Sequence, residues 1–222
     1  MDTVIDTYLH EGLTVNIYLD ETAESPRTWD NLGKLILFGR YGYQEVNELD
    51  KQYRTTEYSG WDEFADAILA DYPGAEILPV YRYEHSGVMY NTVGFSDPWD
   101  SCQVGFIVCP RESILKEFSA KRVTANLRGK VREVLAAEVA TYSSWAYGDV
   151  YGYIITDSTG NSFDHNLYDS CWGFYGIGAV KDAANEAAEA IAPEYFASAE
   201  SRQAVREAVA CEDAGQQRLA FA

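Results

Sequence analysis

Residues 97–109 read DPWDSCQVGFIVC. A turn at Asp97-Pro98 leads into Asp100-Ser101-Cys102, and an apolar run follows through Cys109. The same triplet recurs at 169–171 inside YDSCWGFYG (168–176), again with a Gly-Phe pair a few residues on. The two stretches are either halves of a thiol active site or two similar ways of starting a strand. A thiol nucleophile needs a thiolate and a base within hydrogen-bond reach. Cys102 and Cys171 are the available nucleophiles, with His85 or His165 as bases. Against this, Cys109 and Cys171 stand in apolar or aromatic runs, where cysteine behaves as a small hydrophobe. A strongly negative chain also raises a thiol pKa rather than lowering it. Asp and Ser supply turn hydrogen bonds and Cys-x-Gly-Phe opens a strand, so both stretches read as strand starts.

Working outward, LTVNIYLDE (13–21) alternates Val15, Ile17 and Leu19 with polar neighbours, the pattern of a half-buried strand. ESPRTWDNLG (24–33) is turn chemistry, and KLILFG is a short apolar strand. Residues 41–60 are polar and aperiodic and read as a long loop. Ser59 then caps a helix, with Asp62 at the capping-box position, which stops at Pro73-Gly74. Residues 75–84, 87–93 and 103–109 read as strands, Pro79 placing the first at an edge or bulge. Pro110 opens a helix, and 124–148 forms a longer one with Leu127, Val131, Val134, Leu135 and Tyr142 on one face. Val150–Thr156, a DSTGNS turn and a return strand toward Trp172 and Phe174 make a hairpin. From 178 the Ala- and Glu-rich chain reads as two helices broken at Pro193. The expected class is α+β: a largely antiparallel sheet with helices 61–72, 113–147 and 179–212 packed on one face. Residues 1–176 would form the core and 177–222 a helical segment packed on it or extending from it, within a single domain.

The 222 residues carry 47% hydrophobic and 14% aromatic side chains, enough for a sizeable core. The start of the chain lacks a basic region followed by an apolar one, and no long apolar run occurs, so a cytoplasmic protein with no membrane partner is expected. Four cysteines without CxxC spacing read as reduced thiols. Thirty-five acids against 17 bases leave −18. Residues 61–110 carry 8 acids and 1 base, 149–222 carry 12 and 4, whereas 111–148 carry 4 and 7. Such a field repels nucleic acid and anionic lipid and attracts basic protein grooves.

WDNLG (29–33), YEHSG (83–87), DPWDS-QVGFI (97–107, skipping Cys102), GDVYGY (148–153) and DSCWGFYG (169–176) follow one another along the chain. In this order they resemble a family of proteins encoded by bacteriophages and other mobile elements, over residues 13–184. The resemblance implies a mobile-element origin and a shared fold, and carries no reaction with it. This chain departs from the family pattern at 38–44, FGRYGYQ, which lacks a His and an Asp. It also carries Cys102 where the family has a glycine.

Other chemistry reads as structure. Asp157 and Asp164 suit a hairpin turn better than a Ca²⁺ or Mg²⁺ loop. GFYGIGAVKDAA lacks the strand–GxGxxG–helix order of a dinucleotide site. Asp97, Asp100, Asp149, Asp164 and Asp169 read as scattered turn aspartates, so no cofactor or metal is expected. Lys121, Arg122, Arg128, Lys130 and Arg132 read as a solvated face neutralised by acidic surroundings rather than a phosphate grip. The expected function is an acidic inhibitor that blocks the nucleic-acid-binding surface of a host defence protein by mimicry, without contacting nucleic acid itself. Asp62, Glu63 and Asp66, with Glu186 and Glu189, would supply the charge, and Trp172 and Tyr175 the aromatic anchors. The alternatives are a metal-dependent hydrolase acting on nucleotides, and a protein that sequesters a nucleotide signal.

Overall fold

The computed structural model describes residues 3–39, 42, 44–97, 99–157 and 167–195. It is an α+β fold with antiparallel pairing throughout, but the strands divide between two sheets instead of forming one. The chain separates into two compact units, residues 24–147 and residues 1–23 with 148–222.

In the 24–147 unit five strands are ordered β4-β3-β7-β5-β6: β3 (Lys34–Phe38), β4 (Gln44–Asn47), β5 (Glu76–Glu84), β6 (Val88–Asn91) and β7 (Ser101–Cys109). Helix α1 (Trp61–Asp71) and helices α2 (Arg111–Glu117) and α3 (Ala125–Tyr147) cover opposite faces of this sheet, rather than one. The reason lies in β3 and β7. Ile36, Phe38, Phe106 and Val108 pack with Phe64 and Ile68 of α1, while Leu35, Leu37, Ile107 and Cys109 pack with Ile114, Val131, Leu135 and Val139. Successive strand residues point to opposite faces, so continuous apolar runs need cover on both sides. Much of the aromatic content lies here: Phe38, Tyr53, Tyr58, Trp61 and Phe106 surround the ring of Phe64.

The stretch read as a loop holds β4 and a 3-10 turn at Thr55–Glu57, and buries Leu49 and Tyr53. Strand β4 escapes sequence reading because it is four residues long and pairs on one side only. The cap of α1 also differs from expectation. Gly60 is the N-cap, and the Glu63 carboxylate accepts the Ser59 N–H and hydroxyl, both at 2.6 Å. These bonds hold the Glu63 carboxyl below its ordinary range. Their contribution to stability is present above the ordinary carboxylate range and fades as pH falls through the depressed value. Pro79 sits where β6 does not reach β5, one residue before a bulge at Val80/Tyr81, so its missing N–H interrupts no ladder on that side.

The other unit orders its strands β1-β2-β8-β9: β1 (Val4–His10), β2 (Leu13–Leu19), β8 (Val150–Thr156) and β9 (Leu167–Tyr175). Strand β1 was not expected; the two-residue Glu11-Gly12 turn that makes it a hairpin has φ of 49° and 76°, as a type I′ turn requires. Helix α4 (Ile177–Tyr195) lays Val180, Ala184, Ala188 and Ala192 on Leu13, Val15, Ile17, Tyr153 and Ile155. It runs through Pro193 to Tyr195 instead of breaking there; near the helix end Pro193 removes one backbone bond. The helix expected after 194 lies, beyond Tyr195, outside the described residues.

Candidate functional site

The two Asp-Ser-Cys stretches do different things. In the first, Asp97 Oδ1 accepts the N–H groups of Trp99 at 2.9 Å and Asp100 at 3.4 Å, and the Ser101 hydroxyl donates to the Asp97 carbonyl. Asp100 pairs with His85 Nδ1 at 3.0 Å, and its carbonyl accepts the Glu84 N–H at 2.9 Å. The triplet therefore builds the turn that starts β7. In the second, the triplet lies within β9, with Asp169 accepting the Tyr153 hydroxyl at 2.8 Å. Cys171 is exposed, not buried as its surroundings in sequence implied, because β9 is an edge strand. Gly173, at φ 85°, is the extra residue of a bulge, and the indole of Trp172 lies over Gly152, where a Cβ would overlap it. The GDVYGY and DSCWGFYG blocks thus meet as a cross-strand packing unit.

Cys109 is fully buried, and burial pushes its thiol up to about 12. Cys102 and Cys171 are exposed. An Ellman titration of the native protein at pH 8 should therefore label Cys102→Ser and Cys171→Ser variants at one site fewer each, and a Cys109→Ser variant at as many sites as wild type. Labelling of Cys109 before unfolding would contradict its burial. Among the described residues no group of three or more His, Cys, Asp or Glu is placed to hold a metal. Asp164, His165, Cys211 and the DSTGNS turn beyond Asp157 lie outside the described residues.

A cleft of about 210 Å³ opens beside Trp99, lined by Arg82, Glu84, Asp100, Ser101 and Cys102. A second, of about 190 Å³, shares Arg82 and Cys102 and continues past Phe38, Thr55 and Trp61. Arg82 is committed: its guanidinium lies 3.2 Å from Glu45 and 3.7 Å from Glu84, and its side chain is 10% exposed. Glu84 is paired with that arginine and Asp100 with His85, so what remains at the cleft for a ligand is the indole of Trp99, whose face suits a cation. Trp99 is 93% exposed on a turn held by hydrogen bonds, a preorganised anchor that sequence reading missed.

The expected acidic residues fall in both units. Asp62, Glu63 and Asp66 are exposed on α1, with Glu63 engaged by Ser59. Glu186 and Glu189 are exposed on α4, and Glu189 reaches His10 Nε2 at 3.3 Å. Trp172 is 40% exposed and tilts against Tyr18 at 5.9 Å. Tyr175 is half-buried opposite Val150, and burial followed by the charge of Asp20 raises its hydroxyl pKa. The chain matches no protein-family model, no curated protein and no solved structure.

Two ion-pair clusters were also missed. Half-buried Arg27 bonds Glu48 and Glu138, and Glu138 accepts the N–H groups of Leu32 and Gly33 in the WDNLG block. Glu76, 3% exposed, receives Arg128 and Arg132. Each joins residues far apart in sequence, and no local pattern announces it.

Proposed function

We propose that the chain acts by binding: it is an acidic inhibitor of mobile-element origin that covers the basic nucleic-acid-binding surface of a host defence protein of the CRISPR-effector or restriction type. The observation that carries this reading is the segregation of charge. Residues 1–23 and 148–222 hold 17 acids and 4 bases, −13 of the total −18. Among the described residues of that unit Lys181 is the only Lys or Arg, and Asp6 takes it at 2.6 Å. Carboxylates that far outnumber cations raise the encounter rate with a basic groove and stand in for phosphates there. Tyr168 and Trp172, each 40% exposed in the same unit, add the aromatic area that dominates binding energy at interfaces. The exposed indole of Trp99 offers a further anchor for a lysine or arginine side chain.

The test is displacement of labelled duplex DNA from a purified RNA-guided nuclease and from a purified restriction endonuclease. Displacement is expected from at least one, weakening roughly tenfold or more between 50 and 300 mM salt. Glu186→Gln with Glu189→Gln, and separately Asp62→Asn with Asp66→Asn, should lower potency without unfolding the chain. Displacement from neither enzyme, or potency indifferent both to salt and to the two paired variants, would sink the reading.

A further inference from the structure

Between Arg111 and Arg132 the charge reverses: seven bases stand against two acids. The expectation that acidic surroundings neutralise Lys121, Arg122, Arg128, Lys130 and Arg132 holds for two of those five. Glu76 takes Arg128 Nη1 at 2.6 Å and Arg132 Nε at 2.5 Å. Arg111, Lys116, Lys121, Arg122 and Lys130 are all exposed, and none makes an ion pair among the described residues. The fold brings Arg111 and Arg128 to one turn. Arg111 lies against Gly74, and Arg128 donates to the Ala75 carbonyl at 3.3 Å, so both ends of the stretch flank the turn at 74–76. Lys116, Lys121 and Arg122 follow along the end of α2 and its connection to α3, and Lys130 stands in the second turn of α3. No acid occupies the first turn of α3, so these cations add to the positive end of the helix dipole instead of offsetting it.

We propose that this surface holds the phosphate backbone of a nucleic acid, by charge and without reading its sequence. The side chains between the bases decide against an acidic protein as the occupant. Ser119, Thr124 and Asn126 are exposed there, and the large exposed hydrophobics of the described residues all lie elsewhere in the chain. Protein interfaces are built on a buried apolar centre with aromatic anchors. Lysine and arginine interspersed with hydroxyl and amide groups is the composition of phosphate contacts. The net negative charge of the chain opposes approach from afar, but at 0.1 M salt it is screened beyond about 10 Å, and within that distance the local bases decide. This surface belongs to the 24–147 unit, and the proposal does not rest on the inhibitor reading.

The experiment is fluorescence anisotropy of the full chain with labelled 20-nucleotide single strands and duplexes of two unrelated sequences, from 50 to 200 mM salt. Saturable binding of equal strength for the two sequences is expected, with log K falling against log salt at a slope of about −3 to −4 for the duplex. A Lys121→Ser, Arg122→Ser, Lys130→Ser triple variant should lose at least about tenfold in affinity and flatten the slope by about 3. Its urea midpoint establishes that it folds; Lys121→Ser and Lys130→Ser singly, each weakening binding, serve if it does not. No binding at 50 mM salt, or binding unchanged in the variants, overturns the proposal. So does displacement of the oligonucleotide by polyglutamate as effectively, charge for charge, as by unlabelled DNA, which would make the occupant an acidic protein.

Discussion

Arg27→Ala is expected to destabilise the 24–147 unit by about 3–5 kcal/mol, read as a shift of the urea midpoint at pH 7. The Arg27 side chain is 9% exposed, and its guanidinium makes four bonds. Nε reaches Glu48 Oε1 at 2.9 Å, Nη2 reaches Glu48 Oε2 at 2.5 Å and the Gly33 carbonyl at 2.7 Å, and Nη1 reaches Glu138 Oε2 at 3.1 Å. The two carboxylates are only 21% and 13% exposed. Their surplus negative charge is taken by the N–H groups of Leu32 and Leu35, each at 2.8 Å, and Gly33. Removing the arginine leaves two poorly hydrated carboxylates facing each other, and that residual repulsion, more than the lost bonds, sets the magnitude. Adding Glu48→Gln and Glu138→Gln to Arg27→Ala should therefore recover much of the loss. Arg27→Lys should not, because an ammonium cannot span both carboxylates and the carbonyl in one plane. A midpoint shift equivalent to less than about 1 kcal/mol in Arg27→Ala would show that water reaches the cluster.

Gly105→Ala is expected to cost at least about 3 kcal/mol, at the upper end of overpacking changes. Gly105 lies in the central strand β7, between Leu37 of β3 and Val80 of β5. A Cβ there would overlap the carbonyl oxygen of Ile36 and lie 2.9 Å from its carbon and 3.1 Å from the Leu37 Cα. All three are backbone atoms of a paired strand, so relief requires parting β3 from β7, and no rotamer change suffices. The informative contrast is Gly129→Ala on α3, where nothing stands within 4 Å of the new methyl. That substitution should stabilise by up to about 1 kcal/mol through helix propensity. Equal midpoints for the two variants would mean that β3 and β7 are not in this register.

The sequence patterns that proved readable are those whose cause is local. LTVNIYL alternates because β2 buries one face: of the expected Val15, Ile17 and Leu19, the first two lie under α4 together with Leu13, and Leu19 is half-buried outside that cluster. The spacing of Val131, Leu135 and Tyr142 is the buried stripe of α3. The turn chemistry before β7 is explicit in Asp97 and Ser101. The cover on both faces of the larger sheet was also visible in principle, since LILF (35–38) and GFIVC (105–109) leave no polar position for a solvent face. Of the expected acidic residues, Asp62, Glu63, Asp66, Glu186 and Glu189 are exposed because charge on helix positions outside the apolar stripe has nowhere else to go.

By itself, then, the sequence determined the element types other than β1 and β4, the apolar stripes of β2 and α3, the excess of negative charge and the reversal of charge between 111 and 132. Only the tertiary structure decided how the strands are shared out. Strand β2 pairs with β8 across the whole intervening 24–147 unit, and pairing at that separation depends on the packing of complete faces rather than on any local signal. It likewise decided which charges are spent and which remain. Glu48, Glu76 and Glu138 look like any surface glutamate in the sequence, yet folding commits them to Arg27, Arg128 and Arg132, while Lys121, Arg122 and Lys130 are left to solvent. An ion pair forms where the backbone brings opposite charges within a few ångströms and excludes water, and both conditions are properties of the fold.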